Sequence, residues 1–388
     1  MVEWKKLGEV CDFQNGFAFK SELFKSEGVP IIRITNITSN NIDMTDCKFF
    51  AFDDYKKFNL NPFVVVSGDI LLAMSGATTG KIGVYKGNEK AYLNQRVGKF
   101  VPHETKLDNR YLYHFLLGET NTLYIMAGGG AQPNLSSNKL MEELRLPIPS
   151  INQQENIVNI LDTFTSSIDN LKQQVAQRRK QYEYYRDQLL DIEGKEGKNI
   201  HAWGEFCEMI KGNGVQKVDF VDEGKGCIHY GQIYTHYGPY TYETNKFVSQ
   251  EVFDNAKKAS KGDIIMTDTS ENVEDICKSV AYLGEDEIAV SNHALIIKHK
   301  QNPKFLSFST QTNSFFLQKR KVVVGVKVSG IKPEHLAQIK IYLPSLQEQQ
   351  RIVSILDTFE ASIQNLEAQL SQREKQYEYY RNKLLTFE

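Results

Sequence analysis

The chain contains a long segment twice. Pro149–Leu190 returns as Pro344–Leu385, and 26 of the 42 aligned positions are identical. Among the shared stretches are ILDTF and QYEYYR, each present in both copies. So long a match is an internal repeat, and it orders the chain as variable module, shared segment, variable module, shared segment. The modules keep only short echoes, such as Gly8-Glu9-Val10-Cys11 against Gly204-Glu205-Phe206-Cys207, and Ser67-Gly68-Asp69-Ile70 against Lys261-Gly262-Asp263-Ile264. A divergent pair on a constant frame is what two readers of different targets require.

The shared segment reads as a coiled-coil helix. In the first copy apolar residues fall at Ile157, Leu161, Phe164, Ile168, Leu171, Val175, Tyr182, Tyr185 and Leu189. The second copy repeats the seam with Ile352, Leu356, Phe359, Ile363, Leu366, Leu370, Tyr377, Tyr380 and Leu384. Spacings that alternate four and three specify a left-handed coiled coil. Arg178 and Arg373 interrupt the seam at matching places. They read as side chains that snorkel or pair with Glu and fix register, or more sharply as a buried polar hinge. Ser150 with Gln153, and Ser345 with Glu348, are capping boxes that open the helices. The first helix is expected to end near Gly194 in a polar linker, and the second to run to the C-terminus.

About 40 helical residues give a rod of roughly 60 Å, longer than one DNA turn of about 34 Å. The second module joins the end of the first helix to the start of the second. A compact module spans that path most easily when the helices run antiparallel. The expected fold class is therefore α+β. Two mixed α/β domains are held by two long helices in an intramolecular antiparallel coiled coil with pseudo-twofold symmetry. The expected boundaries are 1–148 and 194–343 for the domains, and 149–193 and 344–388 for the helices.

Within the modules, strands are expected at Ile31–Ile34, Phe63–Val66, Ile70–Met74 and Ile82–Tyr85. In the second module they fall at Ile228–Tyr230, Asp263–Met266, Val280–Leu283 and Val322–Val328. Helical pieces are expected near Asn109–Leu117 and Pro333–Gln338. Short apolar runs at Leu144–Ile148 and Ile339–Leu343 lead into the long helices. Polar loops that suit phosphates and base edges recur in both modules. Arg33, Thr35 and Asn36 answer to His229, Tyr230 and Gln232. Ser75, Thr78, Thr79 and Lys81 answer to Thr267, Thr269, Ser270 and Asn272. Asn94, Gln95 and Arg96 answer to Asn292 and His293. Gln132, after a glycine run, stands against Lys319, Arg320 and Lys321. Each alone fits an ordinary surface loop; as a recurring set they point to DNA. The cluster Tyr230, Tyr234, His236, Tyr237, Tyr240 and Tyr242 suits nucleotide stacking or plain strand packing.

The formal net charge is −2, and neither module is basic in bulk. A firm grip on DNA then calls for a partner's basic surface. The five cysteines form no CxxC pair, which fits reduced thiols in a cytoplasmic protein without a disulfide frame or zinc knuckle. No run of apolar residues suggests a secretion signal or a membrane span. Enzyme motifs fail on inspection. Gly76–Lys81 is one residue short of a phosphate loop and lacks the following Ser or Thr. Asn61-Pro62-Phe63 lacks the second proline of the adenine-methyltransferase motif. Asp69, Glu104 and Lys106 make a poor nuclease pattern. No metal site is expected.

The paired ILDTF and QYEYYR segments, with LPIPS and YLPS before the helices, resemble the conserved regions of type I restriction-modification specificity subunits. The resemblance covers the whole chain. It implies two target-recognition domains on an antiparallel helical spacer. Each domain reads one half of a bipartite, asymmetric double-stranded DNA site, and helix length sets the unread gap. It implies assembly with two modification (methyltransferase) subunits and with motor-nuclease restriction subunits. S-adenosylmethionine, ATP and magnesium belong to those partners, and no cofactor or catalytic residue to this chain. Two other readings stay open: a specificity chain of a methyltransferase-only or type II-like assembly, and a coiled-coil scaffold that does not bind DNA.

Overall fold

The structure is a computed structural model that describes residues 2–38, 40–130, 133–195, 199–323 and 329–387. It divides into two units, one of residues 1–172 with 368–388, the other of residues 173–367.

The first unit carries strands β1 (Glu3–Lys6), β2 (Cys11–Asn15), β3 (Val29–Ile32), β4 (Asn40–Asn41), β5 (Lys48–Phe50), β6 (Val64–Val65), β7 (Ile70–Ala73), β8 (Ile82–Val84), β9 (Ala91–Leu93), β10 (Val97–Pro102) and β11 (Arg145–Ile148). Helices α1 (Asn109–Gly118), α2 (Thr120–Met126) and α3 (Ser137–Glu143) follow β10. The strands form sheets ordered β2-β10-β7-β8-β4, β5-β3-β9-β6 and β1-β11. Only β3 with β9 and β4 with β8 run parallel among these pairs. β7 shows why the sheets form: all four of its residues are buried. Ile70 and Leu72 face a core built on α1, while Leu71 and Ala73 face a second core under β9. A strand covered on both faces loses the polar alternation and reads as an unbroken apolar run.

Helix α4 (Ile151–Leu190) leads from the first module to the second. The second unit carries β12 (Ile200–Ala202), β13 (Cys207–Lys211), β14 (Phe220–Val221), β15 (Lys225–Ile228), β16 (Tyr240–Thr241), β17 (Lys246–Val248), β18 (Lys258–Ala259), β19 (Ile264–Thr267), β20 (Thr269–Ser270), β21 (Ser279–Tyr282), β22 (Ile288–Val290), β23 (Ala294–His299), β24 (Ser329–Gly330) and β25 (Lys340–Tyr342). Its helices are α5 (Tyr230–Thr235), α6 (Gln250–Asn255), α7 (Pro303–Ser309), α8 (Asn313–Val322) and α9 (Pro333–Leu336), before the long α10 (Leu346–Leu385). The sheet β13-β23-β19-β21-β16 repeats the first module's five-stranded order, member for member. The sheet β14-β17-β15-β22-β18 repeats the other with one extra edge strand. The parallel pairs also recur, as β15 with β22 and β16 with β21. The modules share a topology that their sequences no longer display.

The long helices are in contact within each unit, and there they run antiparallel. In the first unit Phe164 stacks on Tyr380 at 5.2 Å and Lys172 pairs with Glu374 at 3.1 Å. In the second, Tyr185 stacks on Phe359 at 5.3 Å and Arg179 pairs with Glu367. Arg373 lies over the Phe164 ring and Arg178 over Phe359, at 5.6 and 5.9 Å. The seam arginines therefore rest on aromatic faces.

Burial along the seam is uneven. Ile157, Leu161, Ile168, Ile352, Leu356, Ile363 and Tyr377 are buried, while Phe164, Leu171, Val175, Tyr182, Leu189, Phe359, Leu366, Leu370 and Leu384 are half-buried. Tyr185 and Tyr380 remain exposed. Val158 and Val353, outside the seven-residue pattern, are buried because each helix start also packs on its own domain.

Polar keys fix that packing. Buried Gln154 accepts the Asp108 N–H at 2.8 Å and donates to the Lys106 and Pro149 carbonyls. Gln349 accepts the Asn302 N–H at 3.0 Å and donates to the Pro344 carbonyl. Asp162 binds Arg110 and His114 of α1, and His114 bonds Tyr377 on its other side at 2.9 Å. The matching Asp357 binds Lys304 of α7 at 3.0 Å.

Several local expectations change. The first helix stops at Leu190, four residues before Gly194. Lys195 folds back and donates to the carbonyls of Gln188, Leu189 and Asp191, which closes the helix end. The Ser150–Gln153 box is reciprocal. At Ser345 only half of it forms, because Glu348 turns to Arg351. Tyr230 begins α5 rather than ending a strand, since His229 caps that helix through Gly231 N–H. Val322 ends α8, and residues 324–328 of that expected strand lie outside the described residues.

Candidate nucleic-acid interface

The expected loops converge in each unit. In the first, three loops leave the ends of β3, β7 and β9 and are tied by backbone bonds. Asn94 N–H donates to Ile32 O at 3.0 Å, and Met74 N–H to Arg96 O at 2.9 Å. Thr78 Oγ1 donates to Ile34 O at 3.1 Å. The segment before α3 joins them: Gly76 N–H donates to Pro133 O, and Arg96 Nη1 to Asn134 Oδ1 at 2.9 Å. Gln132 lies outside the described residues.

The second unit repeats the knot from other residues. Ser291 N–H donates to Ile228 O, and Asp268 N–H to His293 O, both at 3.1 Å. Tyr230 N–H donates to Ser291 Oγ at 2.8 Å, and the Tyr230 ring meets His293 edge-on at 5.3 Å. Tyr234 Oη donates to Thr269 O. The strand β20 pairs with β24, which draws the 329–330 segment to the same place.

The candidates then separate by burial. Asn36, Thr79, His229, Gln232, Thr267 and Ser270 are buried. Their polar atoms hold the loops together: Asn36 accepts the Arg33 N–H and donates to Asp43 O, and Thr267 Oγ1 donates to Asp275 O. Burial also pushes the His229 imidazole below its ordinary range. Lys319 is buried, with Nζ donating to Glu274 O at 3.0 Å and Ile276 O at 2.7 Å, and burial lowers its pKa. It braces the loop after β19, while its neighbours Arg320 and Lys321 face out in the last turn of α8. Thr35, Gln95, Arg96, Asn272, Asn292 and His293 are exposed. Arg33, Ser75, Thr78, Lys81, Asn94, Tyr230 and Thr269 are half-buried. Asn134 carries no sequence signal; its bond to Arg96 and its bridge to Ser75 mark it.

A family model described as the type I restriction modification DNA specificity domain matches residues 1–178 and again 196–374. The chain belongs to this type I specificity family. Two matches on one chain restate the internal repeat, one for each module with its helix. A putative type I restriction enzyme specificity subunit of Haemophilus influenzae is 27% identical over 412 residues, covering 100% of this chain and 96% of that one. The EcoR124I/EcoR124II specificity subunit of Escherichia coli is 27% identical over 302 residues, covering 72% of each. The crystal structure of a type I restriction-modification S subunit from M. genitalium has the same fold, with TM-score 0.59 and 17% identity over 100% of this chain and 97% of that one. The chain is thus the DNA specificity subunit of a type I restriction-modification complex, and subunits of this family confer specificity without catalysis. No helix among the described residues is long and apolar enough to cross a membrane, and no three metal-ligating side chains cluster there.

Proposed function

We propose that the subunit reads a bipartite, asymmetric double-stranded DNA site, one half with each module, through the loop clusters at Arg33–Asn36, Ser75–Lys81 and Asn94–Arg96 and at His229–Gln232, Thr267–Asn272 and Asn292–His293. The observation that carries this reading is that two divergent modules tie equivalent loops with equivalent backbone bonds, yet present different side chains on them. Constant scaffolding with variable tips is the arrangement that separates positioning from readout.

Two modification subunits then carry adenine methylation with S-adenosylmethionine. Restriction subunits with ATP and magnesium carry cleavage, and the assembly acts in the cytoplasm. The net charge of −2 supports the division of labour: the bulk of the phosphate neutralisation falls to the partners. The length of α4 and α10 sets the unread gap. The test is to exchange residues 1–148 for the first module of another family member and map the methylated site in the assembled complex. One half-site changes and the other stays. A change in both halves overturns independent reading.

A further inference from the structure

Arg96 and His293 hold the left-handed backbone region, at φ 72° and 66°. Non-glycine residues adopt that region at a cost of about 1 kcal/mol or more. The two are topological equivalents, each the third residue after its strand, β9 or β22. Each gives its carbonyl to the first N–H after the neighbouring strand, β7 or β19. In the first unit Arg96 is the third residue of a turn closed by Val97 N–H to Asn94 O at 3.0 Å, a place suited to glycine or asparagine. The backbone alone explains the conformation, and glycine would adopt it without strain. The backbone does not explain why both modules carry an exposed, hydrogen-bonding side chain there.

We infer that this left-handed position is a base-reading position in each module, with Arg96 reading a guanine and His293 reading an amino group of adenine or cytosine. The inference rests on the proposed half-site reading. Asn134 Oδ1 takes one Nη1 hydrogen of Arg96 and orients the guanidinium. The rest of the donor fork matches the O6 and N7 acceptors of guanine. In the second module Thr269 Oγ1 donates to Asp268 Oδ1 at 2.8 Å and lies 3.3 Å from His293 Nδ1. Because that hydroxyl hydrogen is given to Asp268, Nδ1 must donate to Oγ1. With Nδ1 as the donor, Nε2 is the ring nitrogen left free to accept, which suits an exocyclic amine. One scaffold position thus carries opposite hydrogen-bonding sense in the two halves.

The test replaces each residue by glycine in the full chain, assembled with its modification subunits, and maps methylated sites while following thermal unfolding. R96G is expected to unfold at the same temperature or higher. Discrimination at one G·C pair of one half-site should relax about tenfold or more, with the other half-site unchanged. R96K, which keeps the charge and loses the fork, should relax the same pair. H293G should relax one position of the opposite half-site only. The inference is overturned if the glycine variants keep the wild-type site, if they weaken all sequences equally as phosphate contacts would, or if they lower the unfolding temperature. A wild-type assembly that directs no bipartite methylation would instead overturn the half-site reading itself.

Discussion

At the scale of single residues, the two units respond to pH in opposite senses. In the first, burial pushes the Asp162 carboxyl up, but hydrogen bonds from His114 and Arg110 and the Arg110 charge outweigh it and hold it at about 2. With Asp162 ionised, His114 Nε2 carries the proton toward it, and Nδ1 accepts from the Tyr377 hydroxyl. Burial lowers the His114 pKa below 6.5, against the pull of Asp162. Both groups bind fewer protons folded than unfolded. Their stabilisation is present above the unfolded pKa values and falls away on acidification, first below about 6.5 for His114 and then below about 4 for Asp162. Replacing His114 by Phe, the residue at the equivalent place in α7 (Phe308), should flatten the loss of thermal stability between about pH 6.5 and 5. An unchanged slope would refute the role given to His114.

In the second unit burial and the Asp357 charge push Glu360 up to about 7. A raised carboxyl pKa gives stability that is full below the unfolded value of about 4.3 and is lost as pH rises through about 7. E360Q should therefore stabilise the chain at pH 8 by about 1–2 kcal/mol and have little effect at pH 4, measured by denaturant titration. The aligned residue in the first copy is Thr165, and Phe308 stands where α1 has His114, so the contrast between the units lies in these two differences.

At the scale of elements, the long helices are held most firmly where they meet their domains. Leu161 and Leu356 are fully buried, whereas Tyr185 is 46% exposed. L161A and L356A should each lose about 2–5 kcal/mol, and Y185A much less, in equilibrium unfolding. The helices were legible in the sequence because a seven-residue period, a capping serine and a Gln or Glu three residues on act locally. The packing of Val158, Val353, Gln154 and Gln349 was not. Those residues face a domain whose surface no helical period describes. The strands were only partly legible, since many have two to four residues and some are buried on both faces. The strand expected at Ile70–Met74 is found as β7, Ile70–Ala73, but β4 and β16 are two-residue strands too short to show a period. Two local signals misled. The aromatic Tyr230 reads as strand until His229 is seen to cap a helix. Lys319 reads as surface charge, yet α8 turns it inward to two carbonyls, while the adjacent Arg320 and Lys321 stay out. The recurrence of polar loops in both modules was legible, and the structure brings those loops together in each unit. Which side chains are exposed was not legible, because Asn36 and Thr35 are both polar and differ in burial.

At the scale of the whole molecule, the proposed gap and the two half-sites are separable properties. Removing one heptad from each long helix should shorten the unread gap and leave both half-site sequences unaltered; an unaltered gap would show that the helices do not set it. The chain's slight negative charge also predicts that the purified subunit alone binds DNA weakly, and that affinity and its steep salt dependence arrive with the modification subunits. Bipartite reading by two unlike modules is tested by a genome-wide map of methylated adenines in cells with and without this gene. One motif, made of two unlike halves around a fixed gap, is expected to vanish when the gene is removed. Persistence of every methylated motif without the gene, or loss of only a continuous symmetric one, would contradict it.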